Sequence, residues 1–189
     1  RTAVLEAWMI GDRPDLLARV AAAEPDAALR RQAIHLIGAT GDGAALETLY
    51  GQLKDADDKA AVLKALGIAG DDARLARIAR SERDPGLLRA ALEGLGISGG
   101  KDATAAIVEI YRATADAGVK RGAINGLIIA DDGAAILALY RSESDRDLKR
   151  ELMQALSIAD SDQAVPPCTA AKAIGMPKLN ATPSTACGI

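Results

Sequence analysis

A repeat of about 29 residues constrains the fold of this chain more than any other feature. Five aspartates mark the repeat at intervals of 29, 29, 32 and 29 residues: Asp26, Asp55, Asp84, Asp116 and Asp145. An apolar residue stands eleven residues after each aspartate: Ile37, Leu66, Leu95, Leu127 and Leu156. Trp8 extends this series by one repeat upstream. We call the two series the cap aspartates and the anchor residues. A fixed period of this length is typical of stacked-repeat architectures.

The segment 81–100 shows how one repeat is built. Asp84 is a natural helix N-cap, because its carboxylate accepts hydrogen bonds from first-turn amides, and Pro85 suits the first helical position. Apolar residues follow at helical spacing: Leu87, Leu88, Ala91, Leu92 and Leu95. The run Ser98-Gly99-Gly100 then ends the helix, since glycine tolerates the left-handed conformation found there. The pattern predicts a helix after every cap aspartate.

Each of these helices is the second helix of its repeat, and a first helix precedes it. The core positions of the first helices align as Leu17/Val20, Leu46/Leu49, Leu75/Ile78, Ile107/Ile110 and Ile136/Leu139. Those of the second helices align as Val4/Leu5/Trp8, Ala33/Ile34/Ile37, Val62/Leu63/Leu66, Ala91/Leu92/Leu95, Ala123/Ile124/Leu127 and Leu152/Met153/Leu156. The 32-residue interval has three extra residues before Ile107, and we expect the loop Gly99-Gly100-Lys101 to absorb them.

Two helices of about ten residues each cannot bury their apolar faces alone, so neighbouring repeats must stack on one another. The sequence therefore predicts an all-α fold, an α-solenoid of about five helical hairpins. Equivalent residues in stacked repeats lie on the order of 10 Å apart, too far for the cap aspartates to share one metal ion. We expect helix capping instead, with ion pairs to the arginines five residues on: Arg31, Arg89, Arg121 and Arg150.

Composition excludes several classes of partner. The 23 basic and 26 acidic residues leave a formal net charge of −3, which argues against a general nucleic-acid binder. No apolar run approaches the ~20 residues that span a bilayer, and no signal segment is visible. We expect neither nucleic acid nor a membrane as partner, and a soluble protein for which the cytoplasm is favoured over the periplasm.

The repeat phrase resembles a known family signature. Residues 82–89 read acid-x-Asp-Pro-x-aliphatic-x-Arg, and residues 24–31 and 143–150 repeat the pattern without the proline. This phrase, with the Ala-Leu-Gly-Ile-Ala-Gly-Asp string at 65–71, resembles HEAT repeats, in particular the short HEAT-like repeats first noted in phycobilisome lyases. The resemblance covers about residues 1–163. It implies a right-handed α-solenoid that serves as a protein-binding scaffold, with the second helices lining its concave side.

The enzyme families that share the HEAT-like fold match this sequence less well than the scaffold proteins do. Deoxyhypusine hydroxylases of this fold hold iron with paired His-Glu motifs, whereas His35 is the only histidine here and Leu36 follows it. DNA glycosylases of this kind use a basic cleft that bears aromatic residues, and this chain is only 2% aromatic. A bilin lyase-like enzyme, or an enzyme subunit acting on a bulky ligand, remains the alternative by analogy. We expect no catalytic residue, no metal ligand and no cofactor, and His35 as a surface or groove residue.

Two further columns of residues recur with the repeat. Tyr50, Tyr111 and Tyr140 each follow an apolar first-helix position. They could form an exposed stacking ladder, but we favour rings packed between helices with the hydroxyls in water. Two residues before each anchor the side chain is polar and changes identity from repeat to repeat; this polar column is Glu6, His35, Lys64, Glu93, Asn125 and Gln154.

A small column lies five residues before each anchor, and most of its members have short side chains: Ala3, Gln32, Ala61, Ala90, Gly122 and Glu151. In the orientation that the resemblance implies, the polar and small columns form a groove. We therefore predict that a partner protein or peptide binds the polar column. The alternative is an ordinary solvated surface.

The two ends of the chain depart from the repeat. The first ten residues correspond to a second helix with no first helix before it, so we expect a fragment of a longer protein or an end covered by another domain or chain. Residues 164–189 contain four of the seven prolines and no acidic residue. This composition predicts a repeat array over 1–163 and an irregular tail or linker over 164–189.

Overall fold

The computed structural model describes residues 2–10 and 13–159, and these ranges form eleven α-helices without any strand. The all-α prediction is confirmed for this part of the chain. The helices are α1 (Thr2–Ile10), α2 (Pro14–Ala23), α3 (Ala27–Thr40), α4 (Gly43–Gln52), α5 (Ala56–Ile68), α6 (Asp72–Ser81), α7 (Pro85–Ser98), α8 (Lys101–Ala113), α9 (Ala117–Ile129), α10 (Gly133–Ser142) and α11 (Arg146–Ala159). Odd-numbered helices are the second helices of the repeats, and even-numbered helices are the first helices.

The cap aspartates begin the second helices, as predicted. Asp84 Oδ1 accepts from the Gly86 and Leu87 amides at 2.7 and 3.0 Å, and Asp116 Oδ1 accepts from the Val119 amide at 2.8 Å. The other three do the same. A second series, which the sequence analysis did not single out, caps three of the first helices: Asp42, Asp71 and Asp132.

The three extra residues of the long repeat extend a helix, so their predicted place in the loop 99–101 is wrong. Only Gly99 and Gly100 separate α7 from α8, but α8 has 13 residues where the other first helices have 10. Ala103 stands four residues before Ile107, the place that a capping aspartate takes in α4, α6 and α10. Because alanine cannot cap and favours helix, α8 gains a turn at its start and the core register is kept.

The predicted core columns are largely buried. The first-helix positions are buried except for half-buried Val20, and the second-helix positions of α3, α5, α7 and α9 are fully enclosed. At the two ends the columns open: Met153 and Leu156 are half-buried, and Val4 is 49% exposed although its equivalents Val62 and Leu152 are at 0%. No described helix packs on the outer side of α1, which explains the exposure of Val4.

Every substantial contact between described helices joins helices that are adjacent or next but one in the chain. The second helices contact one another far more extensively than the first helices do. Glycine makes this possible, because a Cβ added at Gly94 would lie 2.5 Å from the Leu63 carbonyl oxygen, and one at Gly126 would lie 2.6 Å from that of Leu92. Helices α5, α7 and α9 therefore meet backbone to backbone.

No helix in the described ranges combines the length and the apolar character that crossing a membrane requires. The predictions for residues 160–163, at the end of the repeat array, and for the tail 164–189 fall outside the described residues.

Candidate functional site

The six residues of the polar column all lie on second helices and face outward. Glu6, His35, Asn125 and Gln154 are exposed, and the side chains of Lys64 and Glu93 are 43% and 41% exposed. The structure brings two of them together, since Lys64 Nζ lies 2.8 Å from Glu93 Oε1. The exposed position expected for His35 is confirmed.

A column of exposed isoleucines, which the sequence analysis missed, runs beside the polar column. Four residues after each polar-column residue stands an isoleucine in every second helix except α3, where Ala39 takes the place: Ile10, Ile68, Ile97, Ile129 and Ile158. Their exposure is 81%, 38%, 40%, 47% and 57% in that order. With Val4 they are all of the large exposed hydrophobic residues in the described ranges. The regular spacing of isoleucine at the end of each second helix was the available signal.

The columns share one face of the second helices. The small, polar and isoleucine columns follow one another at spacings of three and four residues, which place side chains on one side of a helix. A column of arginines stands one residue before the small column, in α3, α7, α9 and α11: Arg31, Arg89, Arg121 and Arg150. We call this surface the second-helix face. It has a basic edge at the start of the helices, polar residues in the middle and an apolar edge at their ends.

Ion pairs connect neighbouring helices across the second-helix face. Arg31 lies 3.2 Å from Asp58 and 3.5 Å from Asp57, which joins α3 to α5. Lys64 and Glu93 join α5 to α7. Arg121 Nε lies 2.8 Å from Glu151 Oε1, which joins α9 to α11. The predicted pairing of these arginines with the cap aspartates of their own helices is therefore wrong, because their side chains reach the next helix or, for Arg150, Asp147 at 3.2 Å.

The junction between α7 and α9 lacks such a pair and holds a cavity of about 600 Å³. Arg89, Glu93, Arg121, Asn125 and Ile129 are among its lining residues, as are Gly118, Gly122 and Ile128. Arg89 forms no ion pair or hydrogen bond with any described residue. We call this cavity the α7–α9 pocket.

The register of the repeat explains why Arg89 has no acidic partner on α9. Arg31 pairs with Asp58 and Asp57, and the equivalent residues in the next repeat but one are Val119 and Gly118. Arg121 on α9 pairs with Glu151 on α11. Arg89 on α7 faces α9, where the residue equivalent to Glu151 is Gly122. A Cβ added at Gly122 would lie 2.8 Å from Arg89 Cγ, so the arginine stem lies on the bare backbone of α9.

The tyrosines pack between helices as predicted, but two of their hydroxyls bind carboxylates instead of pointing into water alone. Tyr111 Oη donates to Glu143 Oε2 at 2.6 Å, and Lys120 Nζ lies 3.0 Å from the same oxygen and 4.9 Å from the ring centroid. Two junctions earlier, Tyr50 donates to Glu82 in the same way, and Lys59 Nζ lies 5.1 Å from the Tyr50 ring centroid. Partial burial alone would raise the pKa of Glu143, but hydrogen bonds from the Asp145 amide, Tyr111 and Lys120 lower it to about 2.

A second cavity lies on the opposite surface, between the first helices α8 and α10. Its volume is about 700 Å³, and Lys101, Val108, Arg112, Ala135 and Ala138 are among its lining residues. These side chains are mostly short and apolar, and none belongs to the predicted polar column. The surface around this cavity is the main alternative to the second-helix face as a candidate binding surface.

No group of three or more His, Cys, Asp or Glu residues in the described part of the chain is placed to hold a metal ion. The second-helix face instead carries charged side chains, the amides of Asn125 and Gln154, and exposed aliphatic side chains. Comparison with known proteins adds no family, since no family model matches the chain. No curated protein matches it either.

Proposed function

We propose that this chain is a non-enzymatic scaffold, a right-handed α-solenoid of five HEAT-like hairpins that binds a partner protein or peptide along its second-helix face. The contact pattern supports the solenoid, because described helices contact only near neighbours in the chain to any substantial extent. The closer packing of the second helices favours a curvature with these helices on the inner side. The proposal therefore makes the second-helix face the concave one.

The observation that carries the functional proposal is the isoleucine column. Single exposed aliphatic residues are normal on protein surfaces, but aligned apolar residues bordered by polar ones mark interaction sites. Five isoleucines in register have no role in the core, since each is at least 38% exposed. They border the polar column, whose changing side chains provide specificity.

Site-specific photo-crosslinking in cells of the native host tests this proposal. A photoreactive amino acid at His35 or Ile97 reports on the second-helix face, and one at the exposed residues Ala105 or Ala138 reports on the first helices. We expect a discrete crosslinked partner from the first pair only. Crosslinks confined to Ala105 and Ala138 would assign binding to the α8–α10 cavity and contradict the proposal.

Once a partner is identified, the double variant Lys64→Ala/Glu93→Ala tests the polar column directly. We expect weaker binding, because the variant removes two charged side chains from the centre of the face. Unchanged affinity would remove the polar column from the interface.

A bilin lyase-like enzyme predicts a different result. The purified protein would then carry a chromophore that absorbs visible light or a stoichiometric metal. We expect neither in an absorbance spectrum and a metal analysis of protein purified from its native host.

A further inference from the structure

The α7–α9 pocket contains a positive charge, that of Arg89, which forms no ion pair with any described residue. Of the charged residues in its lining, Glu93 is paired with Lys64 and Arg121 with Glu151. Arg89 alone has no carboxylate within ion-pair distance among the described residues, and the nearby Asp116 carboxylate accepts the capping hydrogen bond of α9. At this junction the repeat puts Gly118 and Gly122 where other junctions have Asp57 and Glu151. An incoming carboxylate can take the place that these glycines leave open.

The apolar edge of the face continues directly from this pocket. Ile128 and Ile129 line it, and Ile97 occupies the equivalent position on α7 with 40% exposure. Arg89 and Ile97 are eight residues apart on one helix, which corresponds to about 12 Å along its axis. An extended chain covers about 3.3 Å per residue, so about four residues span this distance.

We infer that the α7–α9 pocket binds an extended segment of a partner protein in which an acidic residue lies about four residues from an aliphatic or aromatic one. The acidic side chain forms an ion pair with Arg89, and the apolar side chain packs on Ile97 and Ile129. This inference rests on the proposed function and specifies the chemistry of the partner. It predicts that salt weakens binding, since the ion pair forms at a solvent-accessible pocket.

A displayed library of random 12-residue peptides, selected on the purified chain, tests the inference before any cellular partner has been identified. We expect enriched sequences to share Asp or Glu about four residues from Ile, Leu, Val or Phe. A synthetic peptide of the enriched sequence is the probe for all variants. Enriched peptides without an acidic residue, or a failure to enrich any, would overturn the inference.

Two variants that act in opposite ways on Arg89 provide the main evidence. Arg89→Ala removes the charge, and Gly118→Asp supplies an internal carboxylate at the position that Asp57 has in α5. We expect each to weaken peptide binding at least tenfold. Arg141→Ala is the charge-matched control, because Arg141 is an exposed arginine on α10 without a described ion pair, and it should change affinity less than twofold.

Charge reversal separates a direct ion pair from an indirect effect on folding. Arg89→Glu should bind a peptide whose acidic residue is replaced by lysine better than the original chain does. Equal affinity of that peptide for both chains would overturn the ion pair. If Ile129→Ala still weakens binding while Arg89 variants do not, the second-helix face remains the binding surface and only the acidic specificity is lost.

Discussion

At the residue scale, Glu143 shows how neighbouring repeats are connected by a partly buried charge. Its side chain is 7% exposed and accepts hydrogen bonds from Tyr111 and Lys120 of the preceding repeat. Its other carboxylate oxygen accepts from the Ser144 and Asp145 amides at the turn that leads into α11. One carboxylate therefore joins two hairpins and fixes the turn between them.

We predict that this carboxylate makes stability depend on pH in the acid range. The pKa of Glu143 is about 2 in the folded state, below the value of about 4.3 expected in the unfolded chain. Its stabilisation is therefore complete above pH ~4.3 and is lost as the pH falls toward ~2. Glu143→Gln should lower the free energy of unfolding by about 2–3 kcal/mol at neutral pH, and by progressively less from pH 4 to 2.

Urea denaturation at several pH values measures this difference. Glu6→Gln is the control, because Glu6 is exposed and its replacement should change the free energy of unfolding by less than about 0.5 kcal/mol. A Glu143→Gln penalty that stays constant between pH 7 and pH 3 would show that the charge of this carboxylate does not contribute.

Asp58 leads to a second prediction. It is 1% exposed at a position where the other repeats have Leu29, Leu87, Val119 and Leu148, and Arg30 NH2 lies 2.7 Å from its carboxylate. Asp58→Ala leaves the largely buried Arg30 without that carboxylate, so we expect a loss of about 3 kcal/mol. The neighbouring Asp57 side chain is 80% exposed, and Asp57→Ala should cost less than about 1 kcal/mol. Chemical denaturation of both variants measures the two losses of unfolding free energy. Equal losses would contradict a special role for the buried Asp58 carboxylate.

These residues also show where prediction from sequence stops. Capping by Asp84 could be predicted because its partners lie two and three residues away. The partners of Arg31 and Arg121 lie 27 and 30 residues away, on the next second helix. Which acidic residue they meet depends on how two helices slide against each other, and the spacing along one chain does not determine that.

At the scale of elements, the first-turn residues of α8 explain why the loop prediction failed. Gly99 and Gly100 indicated a loop, but the next six residues contain three alanines, of which Ala103 and Ala106 are buried. Burial and helix propensity together extend the helix to Lys101. The burial depends on tertiary packing, which the local sequence Gly-Gly-Lys does not reveal.

The close approach of the second helices gives a prediction in which one substitution has opposite effects at two sites. Gly94→Ala puts a Cβ 2.5 Å from a backbone oxygen of α5, which cannot move aside alone. We expect a loss of about 1–3 kcal/mol as α5 and α7 separate. Gly51→Ala, in α4 with nothing within 4 Å of the added atom, should gain up to about 1 kcal/mol from helix propensity.

Thermal or urea denaturation of the two variants compares these effects directly. A stabilising Gly94→Ala would show that α5 and α7 do not meet through their backbones. A destabilising Gly51→Ala would show instead that the helix-propensity gain is smaller than assumed.

At the scale of the whole molecule, the proposed single-file stacking predicts local responses to local damage. Leu152 on α11 is at 0% exposure, and Leu152→Ala should cost about 2–5 kcal/mol of local stability. Because each described repeat makes substantial contacts only with its neighbours, amide hydrogen exchange should accelerate in α10 and α11 and stay unchanged in α3 to α5. Uniform acceleration along the chain would indicate a single cooperative core and contradict the stacking.

Much of the architecture could be predicted because every repeat presents the same pattern of apolar and capping residues again. The anchor residues from Ile37 to Leu127 are all at 0% exposure, and the polar column faces outward as expected. The α7–α9 pocket could not be predicted, because it arises from Arg89 meeting Gly118 and Gly122 on another helix. Because the pocket exists where Gly118 and Gly122 have no side chains, no sequence motif indicates it.

The position of Trp8 has a practical consequence for spectroscopy. It is the sole tryptophan of the chain and lies half-buried on α1, at one end of the described helices. In the proposed single-file stacking, its fluorescence should report the melting of that end alone. Intrinsic emission and far-ultraviolet circular dichroism should then give different midpoints, and a tryptophan placed on α11 would make the opposite end optically visible.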